Sequence, residues 1–467
     1  MDHSLSSDQR DLKALLQAAL ESASQHLSTL DSKPPATDSG PVQPPASLSE
    51  HGLGAKEALH RFQTRYGEHM AASAGPRFWG FVTGGVTPAA LMGDWLASAY
   101  DINLSHGENS TAPAVEREAI AMLRELFGLP ETFHGVFVSG ATMANLVGLA
   151  TGRQWVSRER HLNLTEDGLY GLPPIPVLSA AAHSSVLKVM AVLGMGRRHL
   201  IAVNTLPGHR EAIDLDALRR QLEHQHGQPC IVVANAGTVN TTDFDDFEAI
   251  AALKGEFPFW LHVDAAFGGF AACSPHYQHL VKGMELADSI TIDAHKWLNV
   301  PYDCAMIFTR HPALQLDVFR NHAAYLGDLG DQPDFLHLTP ENSRRFRSLP
   351  VWFSLMAYGK AGYQEIVERN CACARLLAQK IDEAPMFELL APVRLNTVCF
   401  TVHANDAPPT SESIARFANQ LRDDGRVFMT PTVYRGIPAI RAALCNWRTE
   451  PQDVEIAWEA LQRVAGQ

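Results

Sequence analysis

Residues 291–300 read TIDAHKWLNV. The run Ser289-Ile290-Thr291-Ile292 has the β-branched character of a strand, and a histidine and a lysine follow close on its end. Lysine ordinarily stays in solvent. At the mouth of a strand that runs into the protein, Lys296 is partly desolvated, which favours the neutral, nucleophilic amine. Taken alone, Lys296 reads more simply as a side chain that reaches solvent and pairs with Asp293 or Asp303. The rest of the chain decides between the two readings.

Strand-type runs recur at 136–138, 175–178, 200–203, 230–234, 259–263 and 305–308, with helical stretches at 142–160, 183–195, 214–226 and 244–255 between them. This alternation predicts an α/β layer with a mainly parallel seven-stranded sheet. In such sheets ligands bind beyond the carboxyl ends of the strands. Past residue 350 the pattern becomes a long helix over 350–383, short strands near 387–403 and 426–445, and a final helix after Glu450. That predicts a small C-terminal α+β domain. Leu12, Leu15, Leu16, Ala19 and Leu20 fall at the spacing of one amphipathic helix, and the Pro/Ser/Gly-rich stretch 33–47 reads as a linker. The expected division is a helical arm with linker over 1–50, a large domain over 51–345 and a small domain over 346–467.

Composition narrows the function. The 467 residues are 46% hydrophobic and 19% charged, those of an ordinary soluble protein. A net charge of −13 argues against nucleic acid or an anionic membrane surface as the main partner. No apolar run reaches the ~20 residues of a membrane span, and Met1-Asp2-His3-Ser4 lacks the start of a secretory signal. The seven cysteines read as reduced thiols of a cytoplasmic protein. Cys371-Ala-Cys373 lacks the gap of a zinc knuckle, so no metal site is expected.

The strand ends carry the chemistry. Val138-Ser139-Gly140-Ala141-Thr142 is a small-residue turn opening a helix, a candidate phosphate cradle. His183 begins another helix, where it either caps the turn or stacks on a flat ring. Asn235 ends a third strand. Asp264, after Leu261-His262-Val263, is costly to bury without a strong donor. Singly, each has a bland reading as a cap or a turn. Together, an aspartate, a lysine, a histidine and a phosphate-type turn on one sheet edge suit pyridoxal 5'-phosphate (PLP). That cofactor needs a Schiff-base lysine, an acidic partner for its pyridine nitrogen and a phosphate cradle.

These residues sit in motifs that resemble the group II pyridoxal-phosphate-dependent decarboxylases, the family of the aromatic-L-amino-acid and glutamate decarboxylases. The motifs are HVDAAFGG (262–269), DAHKWL (293–298), AHSSVLK (182–188) and RRFRSLPVW (344–352), with SGATMANL, ANAGT, Arg435-Gly436 and AALCNWRT (442–449) in support. The resemblance implies fold type I, the PLP-dependent transferase-like fold, and a homodimer with shared active sites to which 51–110 contributes. It implies Lys296 as the cofactor lysine, Asp264 as the partner of the pyridine nitrogen, Ala266 packed on the ring and His183 stacked on its other face. It also implies Ala141 and Thr142 at the phosphate, with Asp293 and His295 nearby. Asn235 stands where the family often has threonine, and Met143 where many members have glutamate.

The family's proton donor is a tyrosine on a mobile loop. Tyr325 matches it, beside a polar stretch with Gly327, Asp328, Gly330 and Asp331. In related aldehyde synthases that tyrosine is typically phenylalanine, so its presence implies simple decarboxylation. Residues 76–85 (PRFWGFVTGG) align with the pocket-forming segment. Phe78, Trp79 and Phe81 there favour a flat apolar side chain, whereas Arg77 would hold a second carboxylate. The expected activity is decarboxylation of an aromatic L-amino acid. The alternatives are an aspartate or glutamate decarboxylase and a PLP-dependent carbon–carbon lyase. Arg347 is expected to be structural or phosphate-linked.

Overall fold

Seven strands form the central sheet of the computed structural model, which describes residues 3–37, 44, 46–105, 110–321, 333–403 and 408–466. They are β1 (His134–Val138), β2 (Val177–Ser179), β3 (Leu200–Ala202), β4 (Cys230–Asn235), β5 (Phe259–Asp264), β6 (Ser289–Ile292) and β7 (Ala305–Thr309). Their order is β1-β7-β6-β5-β4-β2-β3. β3, β2, β4, β5 and β6 pair in parallel, and β7 runs antiparallel to both β6 and β1. β1 therefore points the same way as the parallel strands. Every residue of β4, β5 and β6 is buried, which is why these runs lack the alternation of a half-exposed strand.

Five α-helices precede β1 among the described residues, α1 (His3–Arg10), α2 (Leu12–Ser28), α3 (Ala55–Tyr66), α4 (Pro88–Tyr100) and α5 (Ala112–Phe127), and α6 (Ala141–Glu159) follows it directly. The single N-terminal helix expected from spacing is two, broken at Asp11, whose ψ of 10° leaves the helical range. No residue of α1, α2 or α3 is buried. α6 lies against the middle of the sheet, close enough that a Cβ on Gly148 would sit 2.6 Å from His262 Cε1 and one on Gly152 would sit 2.8 Å from Trp260 Cδ1.

The C-terminal unit has an antiparallel sheet of β8 (Phe387–Leu389), β9 (Thr397–Val402), β10 (Thr430–Tyr434) and β11 (Ile437–Ala443), in the order β10-β11-β9-β8. The helices Ser411–Asp424 and Pro451–Ala465 share its core. The helix Ser348–Asp382, interrupted at Gly359 (φ 57°), joins the two units. Its Val351, Tyr363 and Val367 pack in the large core, and its Leu377 and Ile381 in the small one.

Candidate active site

The carboxyl ends of β1, β2, β4, β5 and β6 open on one cavity of about 340 Å³, the location expected for an α/β sheet. Ten residues expected from sequence line it: Phe81, Ala141, Thr142, His183, Asn235, Asp264, Ala266, Asp293, His295 and Lys296. Lys296 Nζ lies 3.0 Å from Asp293 Oδ2. Asp293 Oδ1 accepts the Ala141 N–H at 2.6 Å, so the same carboxylate ties the lysine to the start of α6. Gly84 passes so close that a Cβ there would meet the Lys296 carbonyl oxygen at 1.6 Å. The simple ion-pair reading of Lys296 thus holds for the side chain, while its place is inside the cavity.

Asp264 is 7% exposed. Its Oδ2 accepts from Asn145 Nδ2 at 3.0 Å and its Oδ1 from the Ala266 N–H at 3.2 Å. Burial lowers the pKa of His183, with the nearby Asp264 pulling the other way. Burial likewise lowers that of His295, opposed by Asp293. The His295 ring packs on Tyr302 at 4.3 Å between centroids.

Among the cavity's described lining residues, two buried donors have no partner, Asn235 Nδ2 and Arg441 Nε. The other guanidinium nitrogens of Arg441 hold the carbonyls of Val239 at 2.9 Å and Phe81 at 2.6 Å. A cavity with unpaired donors, a helix N-terminus and a lysine suits an anionic ligand. Asp264 adds a charged acceptor for a ring N–H, and the Ala266 methyl leaves room for a flat ring. The residues present fit PLP.

Two expected substrate contacts are corrected by the structure. Trp79 is fully buried in the core of the small unit, its indole N–H donating to the Pro76 carbonyl at 2.8 Å. Its backbone bonds to Phe428 and Ala443, which draws the side chain away from the cavity. Arg77 pairs with Asp453 at 2.7 Å and donates to the Arg426 carbonyl at 2.8 Å, so its charge is already neutralised. Tyr325 lies outside the described residues. Arg347 bonds Asp303 and Glu341 beside the site, whereas Arg344 forms a fully buried pair with Glu116 at 2.8 Å.

Sequence reasoning missed Asn145, Ser185, Tyr302 and Arg441. Asn145 and Ser185 stood inside quoted motifs, three positions from Thr142 and two from His183. Arg441, on β11, reaches the cavity from the other unit, and no spacing rule connects it to Lys296.

The pyridoxal-dependent decarboxylase conserved domain matches residues 46–403. The aromatic-L-amino-acid decarboxylase of Bacillus atrophaeus is 27% identical over 97% of this chain and 95% of that protein. That of Drosophila lebanonensis is 30% identical over 70% of this chain and 80% of its own. Among solved structures, Oryza sativa TDC with PLP and tryptamine superposes with a TM-score of 0.89 at 24% identity, covering 98% of each chain. That likeness establishes the shared fold, type I of the PLP-dependent enzymes.

Proposed function

The chain belongs to the pyridoxal-dependent decarboxylases, and from that premise we propose that it converts an aromatic L-amino acid to its amine and carbon dioxide. It is a PLP-dependent carboxy-lyase. The observation that carries the substrate class is the cavity's supply of cations. Among its described lining residues, Arg441 is the one guanidinium, and Arg77 is paired elsewhere. Arg441 would meet the α-carboxylate, which leaves none for the second carboxylate of aspartate or glutamate. Phe81, Val82 and Phe267 offer an apolar wall instead. The curated relatives named as aromatic-L-amino-acid decarboxylases support the same reading.

Lys296 would hold the cofactor covalently, and Asp264 would face its ring nitrogen in a charge-assisted contact of roughly 1.5–3 kcal/mol. Ala141, Thr142 and His295 would surround the phosphate, with Asn235 close by. When bound, the cofactor supplies an electron sink for the pair left at Cα as carbon dioxide departs. His183 and Arg441 would orient the substrate so that the scissile bond stands across the ring. Tyr325 would then deliver a proton to Cα.

A homodimer with shared sites and a cytoplasmic location belong to the same proposal. Seven free, buried cysteines support the location. No helix of the described residues is long and apolar enough to cross a membrane.

The test is amine and carbon dioxide release by the PLP-loaded protein against the twenty L-amino acids and dihydroxyphenylalanine. Amine from an aromatic substrate is expected; turnover of aspartate or glutamate alone would overturn the substrate class. Lys296→Ala should abolish the visible band of bound cofactor. A band that survives reduction and dialysis in that variant would remove Lys296 from its role.

A further inference from the structure

Asn145 is fully buried on α6, between polar groups that belong to different walls of the cavity. Its Nδ2 donates to Asp264 Oδ2 at 3.0 Å and to Ser185 Oγ at 3.3 Å, and its Oδ1 faces His262 Nε2 at 2.9 Å. His262 Nδ1 lies 2.7 Å from Ser289 Oγ, which accepts the Trp260 indole N–H at 3.0 Å. On the other side, Ser185 Oγ lies 2.8 Å from His183 Nδ1, and the Ser185 backbone N–H points at the same nitrogen at 3.3 Å. Asn145, His262, Ser289 and Trp260 have no solvent exposure, so bulk water does not compete for the bonds among these four.

The proton positions follow from donor and acceptor chemistry. An amide oxygen only accepts, so His262 carries its proton on Nε2. An indole N–H only donates, so Ser289 accepts from Trp260 and gives its own hydrogen to His262 Nδ1. His262 is therefore the neutral Nε2–H tautomer, in accord with the burial that lowers its pKa to about 4. Turning the Asn145 amide over would set its oxygen against the Asp264 carboxylate, so charge selects the orientation. The second Asn145 N–H ends on Ser185, whose hydroxyl and backbone N–H both point at His183 Nδ1. That nitrogen is bare, and the one proton of neutral His183 is on Nε2, which has no partner among the described residues.

We propose that Asn145 is a positioning residue at which a one-way hydrogen-bond chain from Trp260 through Ser289 and His262 divides. One branch aims the Asp264 carboxylate for the cofactor's ring nitrogen. The other, through Ser185, sets His183 as an Nε2–H donor to the substrate. His183 then holds an acceptor group, such as the substrate carboxylate, and does not serve as a base. The inference rests on the PLP site and not on which amino acid is the substrate.

The test is 15N NMR of histidine-labelled apoprotein and PLP-loaded protein near neutral pH, with His183 and His262 assigned through single His→Gln variants. Both rings should be neutral with protonated Nε2 and bare Nδ1. Ser185→Ala should let the His183 ring populate both tautomers, and Ser185→Thr should restore the single one. Asn145→Ala, which removes a bond to a charged group, should weaken PLP binding to the apoprotein roughly tenfold, read by fluorescence quenching. An Nδ1–H or cationic His183 in the wild type would overturn the proposal, as would a His183 signal unmoved by Ser185→Ala. Should Asn145→Ala fail to fold, the wild-type and Ser185 spectra decide on their own.

Discussion

At the scale of single residues, two histidines do different work. His183 faces the cavity, whereas His262 lies behind it with no exposure. Burial lowers the His262 pKa from 6.5 to about 4. Between those values the unfolded chain binds a proton that the folded chain does not. Stability should therefore fall as pH drops from about 6.5 toward 4, by up to ~3 kcal/mol from this group, and level off below. Asp245 acts in the opposite sense. Its carboxyl is pushed up to about 7 by burial, so its contribution is lost as pH rises from 3.8 toward 7. The His262 part is isolated by urea denaturation of the wild type and His262→Gln across pH 4.5–7. The wild type should lose its advantage as pH falls; a constant difference would contradict a neutral His262. Tyr325 makes a second test at this scale. If it supplies the proton to Cα, Tyr325→Phe should lower amine formation by about 10²-fold or more and let aldehyde appear where amine did, with dioxygen consumed. Unchanged amine output would exclude Tyr325 as the donor.

At the scale of elements, the contact of α6 with the sheet governs the site. Asn145, Gly148 and Gly152 share the face of α6 that lies on β5, and the two glycines admit His262 and Trp260. Gly148→Ala would gain up to ~1 kcal/mol in helix propensity. It would also press a methyl to 2.6 Å from an imidazole held by hydrogen bonds on both nitrogens, and overpacking of this kind costs about 1–3 kcal/mol. The clash should win, because the ring has no free rotamer to retreat to. Chemical denaturation should show a net loss, and a neutral or stabilising result would mean that α6 shifts freely on the sheet. The sheet itself was legible in the sequence. β4, β5 and β6 are buried on both faces, and such strands announce themselves as short apolar runs. The N-terminal break at Asp11 was not, since the periodic residues Leu12 to Leu20 all fall after it and no glycine or proline marks it.

At the scale of the whole molecule, apolar side chains remain on the surface of this chain taken alone. Leu12, Leu16 and Leu20 on α2 and Met92, Trp95 and Tyr100 on α4 are exposed, more than scattered single residues of a monomer would require. The proposed homodimer would cover them. Light scattering should give twice the 51.1 kDa chain mass, and Trp95→Glu or Leu16→Glu should shift the protein toward monomer. A wild type that runs as a monomer would remove the dimer from the proposal.

The sequence by itself determined the strand ends and what stands on them. Asp264, Lys296, His183 and the turn at Ala141 are each local to one strand and its following turn, so adjacency along the chain carries the information. Only the tertiary structure decided which polar groups share protons and which cations are free. Arg77 and Trp79 looked like pocket residues because an arginine and an aromatic in a loop read the same whether they face a ligand or a core. Their partners, Asp453 and the Phe428 backbone, come from the far end of the chain. Asn145 and Arg441 were silent for the same reason, since a hydrogen-bond hub or a lone guanidinium acquires its role from groups brought near by packing.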